Sequence, residues 1–190
     1  MIWELRVASK DKSNLKGQEL LAEIKRTLSI KFIRQIRTVK IYRLEDISKN
    51  NLQKLISNLL VEKIDQKFSV NEPLYKGLQT IEVAYKPGVM NPEVGSILKS
   101  AKDLKIKLKG ADSSWEYSFF PKVTTSDLQK IVRRLLVNET IEHVVTSKPK
   151  TLLISAKTPK VKTIKIRSLN DNQLMELSHG QLFLNLEEMK

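Results

Sequence analysis

The clearest pattern in the chain is an apolar stripe at helical spacing that occurs twice. The segment LQKLISNLLV begins at Leu52, and LQKIVRRLLV begins 76 residues later at Leu128, with six of ten positions identical. Apolar residues recur at i, i+3, i+4, i+7 and i+8 in both segments, which predicts two related amphipathic helices. Their predicted core positions are Leu52, Leu55, Ile56, Leu59 and Leu60 in the first, and Leu128, Ile131, Val132, Leu135 and Leu136 in the second.

The residues before these helices repeat as well. Ser48 and Thr124, again 76 residues apart, stand where a side-chain oxygen caps a helix by accepting from its first free N–H groups. Each cap follows a stretch in which apolar and polar residues alternate, Arg37–Ile47 and Ser113–Val123. Period-two alternation with branched or aromatic residues predicts a strand with one buried face.

The similarity extends further upstream. Residues Glu4–Ile30 match Thr80–Ile106 in pattern, and each stretch contains an alternating strand, a turn-forming segment and a helix that starts near Gly17 or Gly95. A strand-like tail, Lys67–Leu74 or Ile141–Ser147, follows each of the repeated helices. The chain therefore reads as β-α-β-α-β written twice.

This order predicts an α+β fold with two tandem units, residues 1–75 and 77–147. A sheet with two helices on one face is the two-layer solution for each unit, in the ferredoxin-like class. One such unit is small and leaves sheet surface exposed. We therefore expect the two units to pack on each other as an internal pseudo-dimer.

The remaining residues differ in kind. Residues 148–167 carry seven Lys or Arg, no acidic residue and two prolines, which predicts a basic extended linker. Residues 168–190 return to helical periodicity in short segments. The last of these, Asn185–Lys190, stops within its first helical turn, and so short a helix does not nucleate by itself. We expect residues 168–190 to lead into a further, downstream domain.

Composition restricts the chemistry. The chain has no cysteine, which excludes a thiolate metal site and a cysteine nucleophile, and its two histidines are far apart in sequence. It has neither a signal-peptide pattern nor a long apolar run, so we expect a soluble cytoplasmic protein without a membrane partner. The net charge of +13 favours polyanionic partners or simply a lysine-rich solvated surface.

The segment KPGVMNPEVG, Lys86–Gly95, is the one candidate loop for a site. It runs into a predicted helix N-terminus, where phosphate could bind, but it lacks the glycines and the Lys-Ser/Thr ending of a P-loop. A structural turn or a domain contact is the favoured interpretation, with Gly88 at positive φ and Pro92 starting the helix. The residues assigned to this turn are Lys86, Pro87, Gly88, Asn91, Pro92 and Gly95.

No catalytic or metal site is predicted. His143 alternates with Ile141 and Val145, as an edge or solvent-facing strand residue does, and no serine or carboxylate is placed beside it. His179 is predicted to be a surface residue at a helix end. The adjacent Glu187 and Glu188 diverge on a helix, so they favour its N-terminus electrostatically rather than form a two-carboxylate site.

Nucleic-acid binding is the alternative function. Two ferredoxin-like units with a basic charge are similar to tandem RNA-recognition modules, which stack bases on aromatic residues of central strands. The aromatic strand WEYSFF, Trp115–Phe120, lacks the Gly-Phe core of those modules, so nucleic acid is not the expected partner.

A resemblance to a known family favours another function. Residues Val83–Ile106 resemble the strand-turn-helix of PurS, the small subunit of phosphoribosylformylglycinamidine synthase. The family pattern is Lys-x-Gly-Val, Asp-Pro and a helix-opening Gly; Lys86, Gly88, Val89, Pro92 and Gly95 match it, and Asn91 replaces the usual Asp. The first copy departs further, because it lacks the proline and the Gly-Val pair. Leu177–Lys190 resembles the segment of fused synthases that leads into the synthetase domain.

The resemblance implies a role in purine biosynthesis. The family makes formylglycinamidine ribonucleotide from ATP, glutamine and formylglycinamide ribonucleotide, and a PurS dimer bridges the synthetase and glutaminase subunits. In fused enzymes a duplicated N-terminal region imitates that dimer. This chain would then be a non-catalytic bridging domain whose partners are the synthetase and glutaminase parts, and ATP and magnesium would bind elsewhere in the parent enzyme.

Overall fold

The described strands form one antiparallel sheet, and the helices of residues 15–136 pack on it. A computed structural model describes residues 1–10, 14–153, 164, 166–167, 169–182 and 184–189. In chain order the elements are β1 (Ile2–Ser9), α1 (Leu15–Thr27), β2 (Gln35–Glu45), α2 (Lys49–Leu55), β3 (Gln66–Val70), β4 (Gln79–Tyr85), α3 (Pro92–Asp103), β5 (Gly110–Phe120), α4 (Thr125–Ile131), β6 (Glu142–Val144), α5 (Asp171–Leu177) and α6 (Leu186–Met189). The predicted α+β class is confirmed.

The sheet runs in the order β3-β1-β2-β5-β4-β6, and every neighbouring pair is antiparallel. The two longest strands, β2 and β5, lie side by side in the middle. They pair over all 11 residues of each, from Gln35 opposite Phe120 to Glu45 opposite Gly110. The strands before residue 76 thus occupy one half of the sheet and the later ones the other half.

Residues 1–155 form one compact unit and residues 156–190 a second. The first unit contains both predicted repeats, 1–75 and 77–147, together with the start of the predicted linker. Residues 154–163, the middle of that linker, lie outside the described residues. The second unit contains α5 and α6, and Asn170 caps α5 by accepting from the Gln173 N–H at 3.0 Å.

The helices that repeat in the sequence continue into wider π-helical turns. The turn Ile56–Leu60 follows α2, and Val132–Leu136 follows α4. Ser48 and Thr124 cap the two helices by accepting from Asn51 N–H and Asp127 N–H at 3.3 and 3.2 Å, which confirms the predicted caps. The local sequence similarity is therefore matched by the same irregular backbone.

The π turn corrects one predicted core residue. Leu59 was expected to continue the stripe, but it is 40% exposed, whereas Leu60 is buried. Bonds from i to i+5 widen the turn, so the residue that completes the apolar face lies one position later than in an α-helix. Leu52, Leu55, Ile56, Ile131 and Leu136 are buried, and Leu128, Val132 and Leu135 are half-buried.

Each of the two main cores combines helices from both halves of the sequence. The first core places Leu55 of α2 and Ile97 of α3 with Leu5 and Leu44 of the sheet. The second places Ile24 of α1 and Ile131 of α4 with Phe119 and other sheet residues. Each core thus contains one helix from the first half of the sequence and one from the second. Without the other half, each core would lose one of its two helices.

Gly17 and Gly95, which correspond in sequence, meet different surroundings. A Cβ at Gly17 would lie 2.3 Å from the Ile36 carbonyl oxygen, whereas Gly95 in α3 has open space around it. We expect Gly17→Ala to lower the free energy of unfolding by about 1–3 kcal/mol through overpacking. Gly95→Ala should raise it by about 0.5–1 kcal/mol, because alanine loses less backbone entropy in a helix. Urea unfolding of both variants checks this; equal effects would contradict the close approach at Gly17.

Candidate functional site

A buried asparagine ties each long helix to the strand that follows it. Asn14 precedes α1 and donates to the Ile36 carbonyl oxygen at 2.7 Å. Asn91 precedes α3 and donates to the Ser113 carbonyl oxygen at 3.1 Å. Both asparagines are less than 9% exposed, and each reaches 22 residues along the chain. The same polar anchor thus occurs in both halves.

On the sheet face opposite the helices, a charged cluster crosses from one half to the other. Arg43 on β2 is 2% exposed and donates to Glu4 on β1 at 2.8 Å and to Glu82 on β4 at 2.6 and 2.9 Å. A further bond to the Ser114 hydroxyl at 3.4 Å completes its contacts. Burial acts to lower the pKa of Arg43, but the two carboxylates outweigh it and raise that pKa.

A second ion pair of this cluster also joins the halves. Arg6 on β1 lies 3.5 Å from Glu116 on β5. Burial raises the pKa of Glu116, and the nearby guanidinium of Arg6 offsets this only in part. The Glu116 Oε1 atom is buried and has no hydrogen-bond partner among the described residues. Buried charges are costly unless they are paired. The ion pairs of this cluster therefore hold β1, β2, β4 and β5 in fixed positions relative to one another.

A short segment after β6, Lys148–Leu152, lies on the same face and is called the strap below. Lys148 contacts Glu4 at 2.6 Å, and the carboxylate of Glu45 accepts from the Thr151 hydroxyl at 2.9 Å and from the Leu152 N–H at 2.7 Å. The strap is the first part of the predicted linker, and it binds to the chain's own sheet. A hydrogen bond from the Leu152 backbone is the main cause that lowers the pKa of Glu45.

The attachment of the strap predicts an effect on hydrogen exchange. Replacing Glu45 with alanine removes the acceptor of the Leu152 N–H, so exchange of that amide should speed up by about tenfold or more. The Leu152 N–H holds the folded-state pKa of Glu45 below its ordinary value. The stability that Glu45 contributes is therefore present above the ordinary carboxyl pKa of about 4.3 and is lost as the pH falls through the lowered folded-state pKa. Exchange measured by NMR at neutral pH, with exposed Glu62→Ala as control, checks the prediction; unchanged protection of Leu152 would contradict it.

The predicted turn Lys86–Gly95 lines a cavity of about 660 Å³ between the start of α3, the end of β4 and the strap. The structure brings all six assigned turn residues to this cavity: Lys86, Pro87, Gly88, Asn91, Pro92 and Gly95. Gly88 has φ 91° and Pro92 is the first residue of α3, which confirms both local predictions. The Lys86 ammonium donates to the Glu139 carbonyl oxygen. The conformation of the loop therefore rests on Gly88 and Pro92 within it and on the contact of Lys86 with Glu139 outside it.

His143 lines the same cavity. Its Nδ1 atom is buried and has no hydrogen-bond partner among the described residues. Ser147 and Asp112 also line the cavity, but neither hydrogen-bonds to the imidazole. The described lining residues therefore do not form a hydrogen-bonded pair of nucleophile and base.

The other ionisable candidates lie in the second compact unit. His179 is exposed, in the π-helical turn that follows α5. Glu188 accepts from the Asn185 N–H at 2.9 Å while its own N–H donates to the Asn185 side chain, also at 2.9 Å. This reciprocal pair is a capping box at the start of α6. Glu188 therefore stabilises the start of α6. This agrees with the expectation that Glu187 and Glu188 favour the helix N-terminus and do not form a two-carboxylate site.

Within the described residues, no three His, Cys, Asp or Glu side chains are grouped so that they could hold a metal ion. Among the same residues, no helix has the length and apolar content needed to cross a membrane.

Sequence reasoning missed the charged cluster and the paired asparagines. Glu4 and Arg6 alternate with apolar residues in β1, which is the ordinary pattern of a solvated strand face. The one available signal is that Asn14 and Asn91 each precede a repeated helix, three or four residues before its glycine. Nothing in the local pattern says that the strap will cover part of the charged face.

Compared with protein-family models and with curated protein sequences, the chain matches none.

Proposed function

We propose that this chain is a non-catalytic bridging domain of a phosphoribosylformylglycinamidine synthase, which holds the synthetase and glutaminase parts in position for ammonia transfer. The proposal begins from the resemblance of Val83–Ile106 to PurS and of Leu177–Lys190 to the segment that enters the synthetase domain. Its partners are those two parts of the same enzyme. ATP and magnesium would bind to the parent enzyme outside this chain.

The observation that carries the proposal is the pairing of β2 with β5 along all 11 residues of each strand. A bridging dimer needs two equal units joined rigidly. Here the element order β-α-β-α-β occurs twice, and the sheet order places corresponding strands symmetrically about the β2–β5 pair. This arrangement supports an internal pseudo-dimer of two PurS-like, ferredoxin-like units.

The contacts between the halves support a rigid connection. Arg43 joins β2 to Glu82 on β4, Arg6 joins β1 to Glu116 on β5, and both main cores draw helices from each half. A domain that positions two catalytic parts requires such stiffness, because small displacements of reacting groups reduce rates strongly. The sequence contains no cysteine, so the thiol of a glutaminase must come from elsewhere.

The aromatic residues weigh against the nucleic-acid alternative. Base stacking requires exposed rings on the open sheet face. Tyr117 and Phe119 of β5 point into the second core, where they are 7% and 0% exposed. Trp115 packs against the same core and lies under the Lys16 ammonium at 3.6 Å. The opposite sheet face carries the buried charged cluster instead.

A genetic experiment tests the proposal. Deletion of the coding region for residues 1–190 in the source organism should produce a requirement for added purine, and expression of the intact gene should remove it. The purified chain alone should not hydrolyse ATP in the presence of glutamine and formylglycinamide ribonucleotide. Normal growth of the deletion strain without purine, or turnover by the isolated chain, would contradict the proposal.

A further inference from the structure

The end of α3 and the segment that enters β5 form a second, open cavity, which we call the lysine groove. Its rim carries Lys102, Lys105, Lys107 and Lys109, its floor carries Leu98, Ile106 and Leu108, and Asp46 lies at one side. The cavity measures about 660 Å³. It lies outside the cavity that His143 lines, although Leu98 contributes to both.

The positive charge of this groove is not neutralised within the described residues. Asp46 contacts the N-terminal ammonium at 2.9 Å and Lys109 at 3.1 Å, so the carboxylate that lines the groove is already shared by two cations. No carboxylate of the described chain lies within ion-pair distance of Lys102, Lys105 or Lys107. Such a concentration of unmatched cations attracts an acidic partner and accelerates its association.

The floor of the groove restricts what the partner can be. Ile106 is buried, and Leu98 and Leu108 are half-buried against the first core. Lysine and apolar residues alternate from Lys105 to Lys109, so the exposed lysines and the apolar residues of the groove belong to the same five-residue stretch. The groove contains no aromatic residue among those that line it, and so it lacks the stacking surface that single-stranded nucleic acid uses.

We propose that the lysine groove binds an acidic polypeptide segment with leucine-like side chains, whose carboxylates face the lysines and whose apolar side chains cover Leu98, Ile106 and Leu108. The lysines favour a negatively charged partner, and the apolar floor favours a partner with apolar side chains over a simple polyanion. The groove would then be one docking face of the domain. That the segment belongs to the synthetase or glutaminase part rests on the proposed function; the binding chemistry itself does not.

The test uses three fluorescent probes of equal length, about 12 amino acids for the two peptides and about 12 nucleotides for the DNA. One is a peptide rich in glutamate with leucine at every third or fourth position, one has serine in place of each leucine, and one is a single-stranded DNA. Fluorescence anisotropy with the intact chain should show that the leucine peptide binds at least about tenfold more tightly than the serine peptide. Binding should weaken as salt rises from about 50 to about 500 mM.

Two charge-reversed variants locate the interaction. Lys102→Glu combined with Lys107→Glu should weaken binding of the leucine peptide by about tenfold or more. The matched control, Lys31→Glu with Lys63→Glu, makes the same change in net charge at exposed residues outside the groove and should have little effect. Equal loss in both variants, equal affinity for the serine peptide, tighter binding of the DNA, or no binding would each overturn the proposal. None of these results depends on the purine requirement, so the two proposals fail separately.

Discussion

Replacing Leu55 with aspartate should abolish the cooperative folding of the whole unit of residues 1–155. Leu55 is 0% exposed in the first core, where an ionised carboxylate would have no partner. We expect a loss of more than about 4 kcal/mol of unfolding free energy. Because that core contains α2 from one half and α3 from the other, both halves should unfold together. Thermal unfolding followed by circular dichroism, together with NMR of the amides of β4, checks the result.

The matched control is Leu59→Asp. Leu59 lies four residues further along but is 40% exposed at the π turn, so aspartate can remain hydrated there. This variant should keep its thermal transition with a loss of about 1 kcal/mol or less. If Leu59→Asp unfolded the chain as Leu55→Asp does, or if Leu55→Asp left β4 protected, the shared core would be the wrong description.

Removal of the Arg43 guanidinium should be the most damaging change on the helix-free sheet face. Arg43→Met leaves Glu4 and Glu82 without their shared cation in a position where their side chains are 6% and 15% exposed. Breaking a buried ion pair from one side costs about 3–5 kcal/mol. Urea unfolding should show that loss, and replacing Glu4 and Glu82 with glutamine in the same variant should recover part of it.

Arg26→Met supplies the comparison for an exposed pair. Arg26 contacts Glu23 at 2.6 Å, but it lies on the surface of α1 with a side chain that is 79% exposed. Its loss should leave the urea midpoint nearly unchanged, because water and salt screen so exposed a pair. A similar small effect at Arg43, with no recovery by the glutamines, would mean that the charged cluster does not stabilise the connection between the halves.

Much of the fold follows from periodicity in the sequence. The repeat at Leu52 and Leu128 predicts two helices of the same kind, and the alternating stretches predict the strands before them. The exposure of Leu59 could not be predicted, because a π turn depends on how the end of the helix packs and not on the spacing of apolar residues. Nor does a local pattern indicate that α2 would share a core with α3.

The candidate sites were predictable only in part. The turn Lys86–Gly95 and His143 were both visible as isolated features, but their meeting at one cavity depends on the β4–β6 pairing. The burial of Glu4 and Arg43 could not be predicted, because a polar residue on an alternating strand usually faces water. In the fold, neighbouring strands place them beside one another, and mutual pairing makes their burial possible.

The function proposed for this chain is to position two catalytic parts without taking part in the chemistry. The most direct measurement compares formylglycinamidine ribonucleotide synthesis by the complete enzyme and by a form lacking residues 1–190, with either glutamine or free ammonia as the nitrogen source. A bridging domain predicts that synthesis from ammonia persists while synthesis from glutamine is lost. Equal retention of both activities would contradict the account, as would loss of ammonia-dependent synthesis in a deletion form whose remaining parts are shown to be folded.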